Sequence, residues 1–310
     1  ICQLFYNASA AILRAIGDSR TPLYFLILCS LMNMALVLLF VLAFGMGVDG
    51  VALATVISQL VSAVLCCIYM WKKYEELRFT RSDMRPDLAL LKKFSGITLP
   101  MAFQNIMLSV GMMVITYVIN SFGEDIVAAY TVGGKVEQLV TVVISQVAFS
   151  FSIYAGQNYG AKKYDRIGPI CLYCNILVTI AWLVTGIIAV LFRNQLLGLY
   201  NDDPEVIAYG CERLITVVAL YFICGNMEVF TGSLRGMGKS FSPMIVCLFG
   251  ACILRIIWIS TVFRKYHTIF SIFVSYPISW AVTTAVLIGM YIVTKRKLIK
   301  NAGEEAVSAE

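Results

Sequence analysis

Long uncharged apolar runs alternate with short charged segments along this chain. Residues 23–44, 51–71, 94–123, 138–161, 167–192 and 268–294 each contain at least 21 residues without a Lys, Arg, Asp or Glu. A helix needs about 20 such residues to cross a bilayer core. Two further runs carry one interior charge each: 214–234 with Glu228 and 240–263 with Arg255. The run at 138–161 extends back to about Ile126 and takes in Lys135 and Glu137. The pattern predicts an all-α polytopic membrane protein with eight complete spans. The segment 1–13 is too short to span and too apolar to stand free, so it reads as the end of a helix, a partial first span.

Composition agrees with that pattern. The chain is 60% hydrophobic and 14% charged, a balance foreign to soluble domains. Eighteen of its 24 Lys and Arg residues fall in one alternating set of loops and three in the other. The positive-inside rule then puts the 72–93 loop and the C-terminus in the cytoplasm. The net charge of +6 reflects this topology and contact with acidic lipid heads, with no nucleic-acid partner implied. The ten cysteines lie almost wholly in apolar runs. Cys171 and Cys174 have the spacing of a redox or metal pair but sit early in an apolar helix without a neighbouring His, as core filler does. The single histidine, His267, falls in a short outer loop.

A ten-residue phrase occurs twice, at Leu13–Pro22 and at Leu234–Pro243, in the form L-R-x-x-G-x-S-x-x-P and at an offset of 221 residues. Ile57 and Ser58 recur at the same offset as Ile278 and Ser279. A long-range repeat in an apolar chain points to two related halves, as in many transporters. The organisation expected is the end of one lobe at 1–71, a cytoplasmic linker at 72–93, a complete six-helix lobe at 94–294 and a cytoplasmic, disordered tail at 295–310. In the linker, Pro86 and Asp87 are expected to start a short helix at the headgroups. If the halves match, roughly 120 residues precede Ile1 in the intact protein. The phrase itself reads as a tight helix–turn–helix. Arg ends one helix, Gly adopts the left-handed cap, and Ser followed by Pro starts the next.

Charges inside spans are costly and point to function or to mutual pairing. Glu228 lies roughly 10 Å inside the cytoplasmic face, at 1.5 Å per residue from Arg235. Glu137 lies near mid-membrane. Both are candidate ion or substrate ligands, with a structural bridge as the rival for each. Lys135 and Arg255 are candidates for structural charge pairing. Lys135 and Glu137 are two residues apart and do not face each other on a regular helix, a geometry that Gly133 and Gly134 could relax. Gln104 and Asn105 sit mid-span, and Tyr221 shares a helix face with Glu228. Together they could line a wet cavity or, alternatively, hold helices together. The sequence contains no phosphate-binding loop, zinc-protease helix or nucleophile elbow, so nothing in it suggests an enzyme or ATP-driven transport.

Several stretches resemble the multidrug and toxic compound extrusion (MATE) transporters. These are the first phrase at 13–22, GMGVDGVALAT at 45–55, LPMAFQ at 99–104, NSFG at 120–123 with AAY at 128–130, GQNYGA at 156–161 and GSLRG at 232–236. The resemblance covers nearly the whole chain. It implies a two-lobe helical bundle of the cell membrane, a multidrug antiporter in which inward flow of sodium ions or protons drives export of small organic, often cationic, compounds. It implies no cofactor beyond the coupling ion. Two departures stand out. The first-lobe helix that carries the family's usual coupling Asp is not in this sequence. Where sodium-coupled members carry second-lobe acids, Gln104 or Asn105 and Cys224 stand here, with Glu228 only a neighbour. The alternatives are a lipid-linked glycan flippase of the same superfamily and a non-transporting membrane scaffold.

Overall fold

The computed structural model describes residues 2–78 and 87–307, and within them helices account for all the regular structure. The chain forms two compact units, Ile1–Leu88 and Ala89–Glu310.

The first unit contains α1 (Cys2–Ala15), α2 (Arg20–Ala43) and α3 (Val48–Lys73). Tyr6, Ala10 and Leu13 follow a three-to-four spacing that puts them on one face of α1, and all three are buried. That face packs on α3, where the small side chains of Ala63 and Cys66 allow close approach. The Tyr6 hydroxyl donates to the Pro22 carbonyl at 3.0 Å, tying α1 to the start of α2.

The second unit contains α4 (Leu88–Asn120), α5 (Glu124–Gly160), α6 (Tyr164–Leu191), α7 (Arg193–Gly198), α8 (Pro204–Val218), α9 (Tyr221–Gly236), α10 (Phe241–Tyr266) and α11 (Ile269–Val307). Helix α5 is its axis. Val136, Val140, Ile144, Ala148, Phe151 and Ala155 recur every three or four residues and bury one stripe against α6, α8 and α9. Helix α9 comes closest through Gly232 and Gly236. A Cβ on Gly236 would lie 2.7 Å from the Ser152 carbonyl oxygen of α5.

Among the described residues seven helices are long and apolar enough to cross a bilayer, and α8 with α9, bent by 44° at their break, makes an eighth if the pair is taken as one span. The bend was not anticipated. The break leaves backbone groups without helical partners, and the Trp182 indole of α6 donates to the freed Val218 carbonyl at 2.8 Å. This span also starts earlier than expected. Asp203 caps α8 by accepting the Glu205 amide, with Pro204 in the first turn.

Both copies of the repeated phrase fold alike. Gly17 and Gly238 have φ of +95° and +76°. The amide of Asp18 reaches back to the Leu13 carbonyl and that of Lys239 to the Leu234 carbonyl, each at 2.9 Å. This is the six-to-one bond of a Schellman cap, in the same register twice. The expected serine cap is not made. Ser19 and Ser240 have helical φ and ψ, which turn their hydroxyls away from the next helix's amides. In the first copy Asp18 takes that role and accepts the Thr21 amide at 3.2 Å.

Two further expectations need correction. No separate linker helix forms after Asp87. Helix α4 runs unbroken from Leu88 into the membrane span, while Pro86 lies outside the described residues. The tail is not disordered from residue 295, because α11 continues to Val307. Lys, Arg, Leu, Glu and Ala dominate that extension, and all are good helix formers.

Candidate functional site

Helices α4, α5, α8, α9, α10 and α11 line an open cavity of about 590 Å³ within the second unit. Its walls are best followed from Arg213. This residue sits on α8, and its side chain is only 5% exposed. One terminal nitrogen donates to Glu137 Oε2 at 2.7 Å and the other to the Tyr130 carbonyl at 2.8 Å. The guanidinium also lies 3.8 Å from the centroid of the Tyr130 ring. Such proximity requires a bare stretch of α5, and Gly133 and Gly134 provide it. A Cβ on Gly133 would sit 3.1 Å from Arg213 Cδ, and one on Gly134 would sit 3.6 Å from Nη2. The glycine pair therefore makes room for an arginine from another helix.

The wall continues from Tyr130, whose hydroxyl is hydrogen-bonded to that of Tyr276 at 2.9 Å. Above the Tyr276 ring, at 4.1 Å, lies the guanidinium of Arg255. Arg255 Nε donates to Ser279 Oγ at 2.9 Å. Trp280 meets the ring of Tyr221 edge-on at 5.0 Å, and the Tyr221 and Thr141 hydroxyls are hydrogen-bonded at 2.8 Å. Thr141 is one helical turn beyond Glu137, so the wall closes on itself.

Glu228 lies two turns after Tyr221 on the same face of α9. It lines both this cavity and a second one of about 440 Å³. Its carboxylate makes no ion pair among the described residues. In the second cavity Gln104 is buried and accepts from Arg235 Nη2 at 2.9 Å, while Asn105 forms part of the wall.

The residues singled out from the sequence thus fall into three places. Glu137, Tyr221 and Arg255 line the first cavity, Gln104 and Asn105 line the second, and Glu228 belongs to both. Lys135 lies apart from all of them. It is exposed on α5, because its neighbours Gly133 and Val136 take the buried face. The charge pairing expected of Lys135 and Arg255 is therefore not seen among the described residues. The cation paired with Glu137 is Arg213, and Arg255 is held by a serine and aromatic rings. Sequence reasoning passed over Arg213, Tyr130, Tyr276, Ser279 and Trp280 as site residues. Gly133 and Gly134 were the available signal, since a glycine pair beside interior charges marks a close approach.

Chemically, the cavity offers aromatic faces, the thioethers of Met112 and Met227, hydroxyls and four charges of balanced sign. Among the described residues no three His, Cys, Asp or Glu side chains converge. A cation entering here would meet the Glu228 carboxylate.

The MatE family model matches residues 100–261. The probable multidrug resistance protein YoeA of Bacillus subtilis is 27% identical, over 96% of this chain and 66% of its own length. The probable multidrug resistance protein NorM of Thermotoga maritima is 25% identical, over 76% of this chain and 52% of its own. This chain therefore spans less than two thirds of either relative. The solved structure of an outward-facing multidrug resistance MATE family transporter of the MOP superfamily superposes with a TM-score of 0.87 at 22% identity, over 95% of this chain and 66% of that one. That likeness concerns the fold.

Proposed function

The chain belongs to the MatE family, and from that membership we propose that it serves a secondary active antiporter that exports small organic compounds, cationic ones among them, in exchange for sodium ions or protons. The site of action is the cytoplasmic membrane, with the C-terminus on the cytoplasmic side. The observation that carries this reading is Glu228. It is a membrane-embedded carboxylate without a basic ion-pair partner among the described residues, set where two cavities share a wall. A carboxylate at such depth is tolerated where it meets water, a cation or a partner. Protonation and cation binding compete for it, and that competition is the elementary event of exchange. The aromatic and thioether walls suit apolar bodies of varied shape. Both relatives are named probable multidrug resistance proteins, which supports the same substrate range.

Glu228→Gln tests the reading. Export of a fluorescent organic cation from cells is expected to fall at least tenfold with the amount of membrane-inserted protein unchanged. Undiminished export would exclude Glu228 from the exchange.

A further inference from the structure

Among the described residues no carboxylate pairs with Arg255 in the cavity wall. The arginine is 9% exposed, yet it makes no ion pair among the described residues, whereas Arg213 is committed to Glu137. A buried arginine without a counter-ion is expensive in a membrane-spanning helix. The rings of Tyr276 and Trp280, at 4.1 and 5.8 Å, offset only part of that cost.

The way it is held points to a use. Ser279 Oγ accepts from Nε and gives its own proton to the Tyr276 carbonyl at 2.8 Å, so toward Arg255 it acts only as an acceptor. The guanidinium is thereby fixed by its inner edge. Its two terminal nitrogens have no acceptor among the described residues, and they belong to a residue that lines the 590 Å³ cavity. That free edge is the fork that receives two oxygens of a carboxylate or phosphate.

The serine is one of the repeated positions, and its counterpart Ser58 shows what is special here. Ser58 Oγ likewise donates to the carbonyl three residues back, at 3.0 Å, and accepts a donor from the preceding helix. There the donor is the neutral amide of Asn33, at 3.2 Å. The same serine geometry thus holds an amide in one unit and a full positive charge in the other.

We propose that Arg255, positioned by Ser279, forms an anion-binding subsite that takes the oxyanion of a soluble amphipathic organic compound, whose apolar body lies against Trp280, Ile259 and Met112. The proposal rests on the transport reading in one respect, namely that the cavity is where substrate resides. It extends the substrate class from cations to compounds carrying a carboxylate, sulfonate or phosphate.

The test uses the purified protein in phosphatidylcholine nanodiscs and two probes with one ring system and opposite charge, 2-naphthoate and 2-naphthylmethylammonium, titrated by calorimetry. Arg255→Gln is expected to weaken naphthoate binding at least fivefold and to change ammonium binding less than threefold. A naphthoate loss below fivefold overturns the subsite. Should that variant fail to insert, Ser279→Ala replaces it with an expected naphthoate loss of at least threefold, and a smaller loss overturns the proposal. In phosphatidylglycerol nanodiscs the wild-type affinity for naphthoate is expected to hold within threefold. A larger drop that depends on Arg255 would assign the fork to a lipid headgroup and overturn the proposal. The two readings fail separately. Arg255-dependent naphthoate binding by a protein that exchanges no ions would remove the transport reading and leave the subsite. Ion-driven export of the ammonium probe without naphthoate binding would do the reverse.

Discussion

Arg213 and Glu137 are individually costly inside the second unit and tolerable together. Removing either partner strands the other, at a cost on the order of 3 kcal/mol, whereas removing both leaves no stranded charge. Glu137→Gln and Arg213→Gln are therefore each expected to lower the midpoint of thermal unfolding in detergent. The double variant should recover at least 1 kcal/mol relative to the sum, since groups in direct contact do not act additively. Additivity within about 0.5 kcal/mol would show that the pair is not coupled. A second residue, Asp18, carries a prediction about pH. Its partial burial alone would raise its pKa. The Thr21 amide and hydroxyl, with the hydroxyls of Tyr69 and Tyr74, outweigh that effect and hold it down to about 2. Lys73 adds an ion pair at 3.4 Å. Because the folded-state pKa is depressed, this stabilisation is present above the ordinary carboxylate range and is lost as pH falls through the folded value. Unfolding midpoints measured between about pH 5 and pH 2 should show an acid-side drop that Asp18→Asn removes. A drop unchanged in the variant would contradict this assignment. Of these residues, the sequence made Glu137 legible because a charge stands out in an apolar run. Arg213 was not legible, because it sits at the edge of such a run and its partner is 76 positions away. Asp18 lay within the predicted turn, and its partners Tyr69, Lys73 and Tyr74 lie about fifty positions on, at and just past the end of α3.

Among the elements, the repeated turn was the most legible. Its glycine was predicted to adopt the left-handed cap from spacing alone, and both copies do so with the same backbone bonds. Its serine was misread, because a capping residue type does not guarantee the extended backbone that capping needs. Gly238 has no atom within 4 Å of where a Cβ would be built, so a substitution there would test backbone conformation without a steric clash. Gly238→Ala should cost about 1 kcal/mol for the left-handed conformation alone. Circular dichroism melts of the variant should show a lower midpoint and an unchanged helix content, and an unchanged midpoint would contradict the cap. The bend between α8 and α9 was hidden for a different reason. No proline or glycine marks it, and the indole that satisfies it comes from α6. Hydropathy reports how apolar a segment is and says nothing about where its hydrogen bonds turn to a neighbour.

At the scale of the molecule, hydropathy was a good guide to the membrane-length segments, because backbone polar groups in a bilayer must be satisfied inside the protein and a helix satisfies most of its own. It was a poor guide to the site. The cavity is assembled from α4, α5, α8, α9, α10 and α11, and which faces meet is decided by packing that no single segment encodes. Charges inside spans pointed to Glu137, Glu228 and Arg255, and the tyrosines that run between the Arg213–Glu137 pair and Arg255, Tyr130 and Tyr276, looked like ordinary span residues until the structure joined their hydroxyls. The central claim, ion-coupled export with Glu228 as the exchange carboxylate, is tested most directly in proteoliposomes loaded with a fluorescent organic cation. The measurement is the rate of its movement against its own gradient while a sodium or a proton gradient is imposed in the opposite direction. Uphill movement driven by one of the two gradients is expected, abolished by the matching ionophore and lost in Glu228→Gln. Movement that only runs downhill, at one rate with or without either gradient and unchanged in the variant, would contradict that claim.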